Sequence, residues 1–141
     1  MSARDSVSNE GSYLNVESFL IDESTITHDA TKNGGSAAVG KAVTLSGNDT
    51  VALTADGDGV LGRLLHVESD GVCAVATGGT FELPGGNSAT LTRMTAIVGA
   101  LGPSSAKGYI RAVNTAVAAE LGKCRGHIRN AADTAAVVVN L

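Results

Sequence analysis

The chain has 141 residues, of which 18 are Gly and two are Pro, with no Trp. Apolar residues make up 43%, charged residues 17% and aromatic residues 3%, so the core must be built from Ala, Val and Leu. Frequent Gly with recurring Val and Thr indicates short strands between tight turns instead of a helical bundle. A formal charge of −4 lacks the basic excess that nucleic-acid binding uses, so no nucleic-acid partner is expected. The absence of a G-X-Y period excludes collagen.

Residues 1–36 are rich in Ser, Thr, Asn, Asp and Glu and close with Lys32-Asn33-Gly34-Gly35-Ser36, a linker-like run. This predicts a flexible N-terminal arm, 1–36, followed by one compact domain, 37–141. The arm holds six acids against Arg4 and Lys32, so it carries the whole net charge, while the remainder balances eight acids with eight bases. Within the arm, Tyr13, Leu14, Val16, Phe19, Leu20 and Ile21 form one apolar island. The expectation is a segment that orders on a partner, by adding a strand or by laying an apolar face into a groove. The alternative is an island that packs back on its own domain. Asp5 and Glu10 stand where a secretory signal would have basic residues and then an apolar run, and no stretch reaches membrane-spanning length. Synthesis and folding in the cytoplasm, without a membrane partner, are therefore expected, with Cys73 and Cys124 reduced.

From Ala37 onward, short apolar alternations separated by turn residues predict an antiparallel β domain with at most one or two short helices. Val43 and Leu45 flank Thr44, and Ser46-Gly47-Asn48-Asp49 turns the chain into a strand over 50–54. A second hairpin joins 61–67 to 72–77 through Asp70-Gly71, the dipeptide favoured by a type I′ turn. Gly78-Gly79 bends into a strand over 80–83, ended by Pro84-Gly85-Gly86-Asn87. A strand is expected within 91–98, then a loop over 99–107. Asn114 caps a short helix with Val113, Val117 and Leu121 at helical spacing and Gly122 as its stop. Residues 125–130 and 135–141 read as a closing pair of strands. Val137-Val138-Val139 then needs cover on both faces or a sister subunit along its edge, which makes Val137 and Val139 the candidate oligomer interface.

Several chemical motifs fail on context. Gly57-Asp58-Gly59-Val60-Leu61-Gly62 matches G-x-G-x-x-G, but a dinucleotide site needs a following helix, and the residues after Gly62 alternate as a strand. Asp56-Gly57-Asp58-Gly59 lacks the further ligands of a calcium loop. Cys73, Cys124, His66 and His127 make a nominal Cys2His2 set without knuckle spacing, and no third group orients a Cys–His pair. Glu68 and Glu82 carry no mark of an acid/base pair. No enzyme activity, catalytic residue, metal or cofactor is expected. The basic residues Lys107, Arg111, Lys123, Arg125 and Arg129 cluster late, with only Glu120 among them, a local bias suited to an acidic surface.

The run Val39-Gly40-Lys41-Ala42-Val43-Thr44-Leu45, the 56–62 turn, Asp70-Gly71-Val72-Cys73-Ala74-Val75, Gly78-Gly79-Thr80-Phe81-Glu82-Leu83, Arg125-Gly126-His127 and the terminal Val137-Val138-Val139 together resemble small head-decoration proteins of tailed bacteriophages, also called capsid cement or stabilisation proteins. The resemblance spans about 37–141 and is poor over 88–122. It implies a mainly β, β-barrel-like or β-tulip domain. It further implies a structural protein of the virion's outer capsid surface, assembled as homotrimers whose N-terminal arms touch the major capsid protein and stabilise the mature head. On that reading Tyr13, Leu14, Val16, Phe19, Leu20 and Ile21 are the capsid-binding residues. The competing expectation, a surface-displayed carbohydrate-binding β domain, needs exposed aromatic rings, and residues 37–141 supply only Phe81 and Tyr109.

Overall fold

Alternating apolar residues separated by Gly-rich turns produce the predicted β architecture. The computed structural model describes residues 14–87, 91–130 and 136–141. The first five strands are β1 (Asn15–Ile21), β2 (Ala42–Gly47), β3 (Thr50–Leu53), β4 (Gly62–Val67) and β5 (Val72–Gly78), and they close a barrel in the order β1-β3-β2-β4-β5. β1 seals it, running antiparallel to β5 with Phe19 opposite Cys73, and parallel to β3 at Leu20 and Ile21. Ile26, Val43, Val51, Leu64, Val67 and Val75 fill the interior, each at most 1% exposed.

The remaining strands are β6 (Thr80–Pro84), β7 (Ile97–Ala100), β8 (Tyr109–Ala112), β9 (His127–Asn130) and β10 (Ala136–Asn140). They form a β6-β10-β9 sheet and a β7-β8 hairpin. Single bridges tie the two together, Gly85 to Ile110 and Ile97 to Arg125, with the Met94 amide donating to the Ile128 carbonyl at 2.8 Å. The result is a second ring, around Phe81, Leu83, Leu91, Ile97, Ile110 and Ile128. Its floor is the outer wall of the barrel, because Ala42 and Ala76 face it while their neighbours Val43 and Val75 face inward. Small residues at those wall positions let the two layers approach. A Cβ on Gly62 would lie only 1.9 Å from the Ala76 carbonyl oxygen.

The boundary expected at residue 36 is corrected. The apolar island builds β1, Ile26 is in the barrel core, and the Ser36 hydroxyl donates to the Thr27 carbonyl at 2.7 Å. The supposed linker is a tight 3-10 turn: Gly35 has φ +85°, and a Cβ there would meet the Val67 carbonyl oxygen at 2.0 Å. Close approach, not flexibility, selects this glycine. The β4-β5 hairpin forms as expected, by a different turn. Glu68 accepts from the Gly71 amide at 3.2 Å and its own amide donates to Val72 at 2.8 Å, with only Gly71 at positive φ, a type I turn with a glycine bulge instead of type I′.

The helix also differs. α1 (Ala118–Leu121) is a single turn stopped at Gly122, and Asn114 Oδ1 accepts from the Ala116 amide just before it. Val117 and Leu121 face solvent, and Glu120 is the residue turned inward. β10 is corrected too. It lies between β6 and β9, opposite Leu83 and Phe81 on one side and Ile128 on the other. Both edges are filled by the chain itself, so Val137 and Val139 leave no edge for a sister subunit. The turn joining β9 to β10 lies outside the described residues.

Candidate partner-binding surface

Strand periodicity divides the island of β1 between two faces. Phe19 and Ile21 pack half-buried on the barrel core, and Leu14 packs on the second core. Val16 and Leu20 point outward, 49% and 51% exposed. Tyr13 lies outside the described residues. Of the residues expected to touch a partner, the structure therefore brings Val16 and Leu20 to one outer face and commits Leu14, Phe19 and Ile21 to folding. Leu20 stands where two hairpin turns converge on β1, since its amide donates to Asp49 at 2.8 Å and the Ile21 amide donates to Gly71 at 3.0 Å. A shallow groove of about 260 Å³ opens there, between Leu20, Asp49 and Val72. A surface of this kind offers apolar contact ringed by polar turn atoms, which suits recognition.

The strongest polar constellation was not anticipated. Arg111 on β8 donates to both carboxylate oxygens of Glu120, each at 2.8 Å, and to Asp56 Oδ1 at 2.9 Å, while the Asn114 amide donates to Glu120 Oε1 at 3.0 Å. The Arg111 guanidinium and this amide hold the Glu120 carboxyl down to about 2, and the two carboxylates push the Arg111 guanidinium above its ordinary value. The network ties α1 and the 55–58 turn to β8. The signal in the sequence was that Glu120 is the lone acid between Lys107 and Arg129. Arg125, in the same basic cluster, is likewise internal: it donates to the Leu61 carbonyl at 2.8 Å and the Thr77 carbonyl at 2.9 Å.

The other candidate motifs disperse. Cys73 is buried on β5, where desolvation pushes its thiol up. Cys124 Sγ donates to the Leu121 carbonyl at 3.5 Å, and His66 faces Glu68 at 3.0 Å. Among the described residues, no three of His, Cys, Asp and Glu gather around a common point. The G-x-G-x-x-G run leads into β4, a strand. Phe81 is core, and the Tyr109 ring lies under Lys41 Nζ at 4.3 Å from its centre, so both rings are engaged within the chain.

These features define the class: a mainly β protein built on a closed five-stranded barrel, with one short α-helix among the described residues. No described helix is long and apolar enough to cross a membrane. In comparisons with family models, curated proteins and solved structures, nothing matches this chain.

Proposed function

We propose that this chain is a capsid decoration protein, which binds the outer surface of a tailed-phage head as trimers and stabilises the mature shell by clamping neighbouring capsomers. The observation that carries the reading is the outer face of β1: it holds Val16 and Leu20 exposed on the first barrel strand, with a groove beside Leu20. The motif resemblance supports it, and so does a polar constellation that ties elements together instead of aiming at a substrate. On this reading the partner is the major capsid protein. The contact residues reduce to Val16 and Leu20, with Tyr13 in the preceding segment.

The mechanism is linkage: a ligand that binds the expanded lattice better than the immature or broken one shifts the balance toward the intact shell. Trimeric attachment makes the second and third contacts intramolecular, so individually weak contacts give slow release. The test is rebinding of purified protein to stripped phage heads, followed by gradient sedimentation. Wild type is expected to co-migrate with the shells at near-stoichiometric copy, and Val16→Glu/Leu20→Glu to stay at the top of the gradient while keeping wild-type circular dichroism. Wild type that remains at the top overturns the decoration reading. A double variant that binds normally overturns the contact face alone.

A further inference from the structure

Asn33 opens the 3-10 turn and is followed by Gly34, so an amide side chain stands next to a backbone N–H that no Cβ shields. This pair can react with itself. Once the Gly34 nitrogen gives its proton to hydroxide, it adds to Asn33 Cγ, and the carbonyl re-forms by expelling the side-chain nitrogen as ammonia. A five-membered succinimide results. Water then opens the ring: attack at Cγ restores the ordinary backbone with Asp in place of Asn, and attack at the main-chain carbonyl leaves isoaspartate, whose backbone runs through the side chain. The balance is one water consumed and one ammonia released, with no other reactant.

The sequence offers this chemistry at Asn33-Gly34, Asp56-Gly57, Asp58-Gly59 and Asp70-Gly71, and the fold separates them. Asp70 Oδ1 accepts from the Val72 amide at 3.1 Å, and the Gly71 amide donates to the Glu68 carbonyl at 3.2 Å. Arg111 holds the Asp56 carboxylate, and the Gly57 amide donates to the Gly99 carbonyl at 2.9 Å. Asp58 Oδ2 accepts from the Ala55 amide at 2.8 Å. Around Asn33 the hydrogen bonds of the turn use Asp29, Thr31, Lys32, Gly35 and Ser36. Among the described residues none uses the Asn33 side chain or the Gly34 N–H, and Asn33 is exposed. Neither reacting group is held by the fold.

The turn has no slack for the product. A Cβ on Gly34 would lie 3.1 Å from the Leu65 carbonyl oxygen and 2.9 Å from the Val39 side chain, and the Gly35 carbonyl accepts from the Asp29 amide at 2.7 Å. These contacts fasten the segment that carries Ile26 against β4, and isoaspartate lengthens the backbone between them by one carbon.

We propose that Asn33-Gly34 is a self-modifying site, at which the folded chain converts Asn33 to isoaspartate and so loosens the turn that holds the Ile26 segment on the barrel. The site is separate from the β1 face and does not depend on the capsid reading. The test incubates the full chain, folded and in urea, in mildly alkaline heavy-oxygen water, and follows its peptides by mass spectrometry. Each ring opening leaves one heavy oxygen, which puts the Asn-Gly site and the three Asp-Gly sites on one scale. In the folded chain the label is expected at Asn33, at a rate proportional to hydroxide concentration and split between Asp and isoaspartate peptides. The Asp-Gly peptides should take it up in urea and be protected by folding. The melting temperature of wild type should fall as isoaspartate accumulates, and that of Asn33→Gln should hold steady over the same incubation. Folding that slows labelling of Asn33 as strongly as that of the Asp-Gly sites overturns the proposal, because the fold would then restrain the reacting pair. An unchanged melting temperature in fully converted protein overturns the loosening.

Discussion

Glu120 illustrates what a single residue decides here. It occupies the one inward position of α1, only 9% exposed, and its carboxylate takes two donors from Arg111 and one from Asn114. In the unfolded chain the carboxyl titrates near its ordinary 4.5, and in the folded protein at about 2. Its contribution to stability is therefore fully present above 4.5 and is lost as pH falls through about 2. Glu120→Gln should lower the melting temperature at neutral pH, and the gap from wild type should close between pH 4.5 and 2 in paired thermal melts. A gap that stays constant across that window would mean that the Arg111 pair does not set the stability of this corner. Val117 and Leu121 misled the helical reading because their spacing marks a face without saying which way it turns. The partly buried guanidinium of Arg111 orients the helix, and the apolar pair is left outside.

Among the elements, the β4-β5 hairpin separates backbone strain from crowding. Gly71 has φ +87° and nothing within 4 Å of an added Cβ, so Gly71→Ala should cost about 1 kcal/mol through conformation alone. Gly71→Asn should cost less, since Asn tolerates this region. Gly62 has an ordinary φ but no room, its Cβ meeting the Ala76 carbonyl oxygen at 1.9 Å, and Gly62→Ala should cost about 3 kcal/mol by prising β4 from β5. Urea unfolding of the three variants checks the order, and an equal cost for Gly71→Ala and Gly62→Ala would contradict it. The hairpins were legible in the sequence because alternation and turn residues act locally. The turn type was not, because Asp70-Gly71 fits more than one loop length and strand pairing chooses among them. Outward orientation of Val16 and Leu20 was hidden for a similar reason: alternation separates two faces of a strand, but only the barrel says which face is inside.

For the whole molecule, β1 is the closure of the barrel, so truncation has two distinct outcomes. Every pairing described above is retained in a chain that begins at Leu14. Removal of residues 1–13 should therefore leave a product that still unfolds cooperatively in thermal melts. Removal of 1–36 takes away β1 and Ile26, uncovers the edges of β3 and β5, and should produce an aggregating, molten product by dye binding and sedimentation. A well-folded 37–141 fragment would restore the arm boundary expected from composition. That expectation arose because Ser, Asp, Asn and Gly serve a tight surface turn as readily as a flexible linker. The sequence by itself determined the β class, the hairpins, a mainly aliphatic core, to which the fold adds Ile26, Ile97, Ile110, Ile128 and Phe81 beside the expected Ala, Val and Leu, and an apolar island before residue 36, since these depend on composition and short-range periodicity. Only the tertiary structure decided that the island closes a barrel, that β10 is an interior strand and that Arg111 captures Glu120. Each of these joins residues far apart in the chain, and such pairing is chosen by burial and by competition among strands, which no local pattern carries.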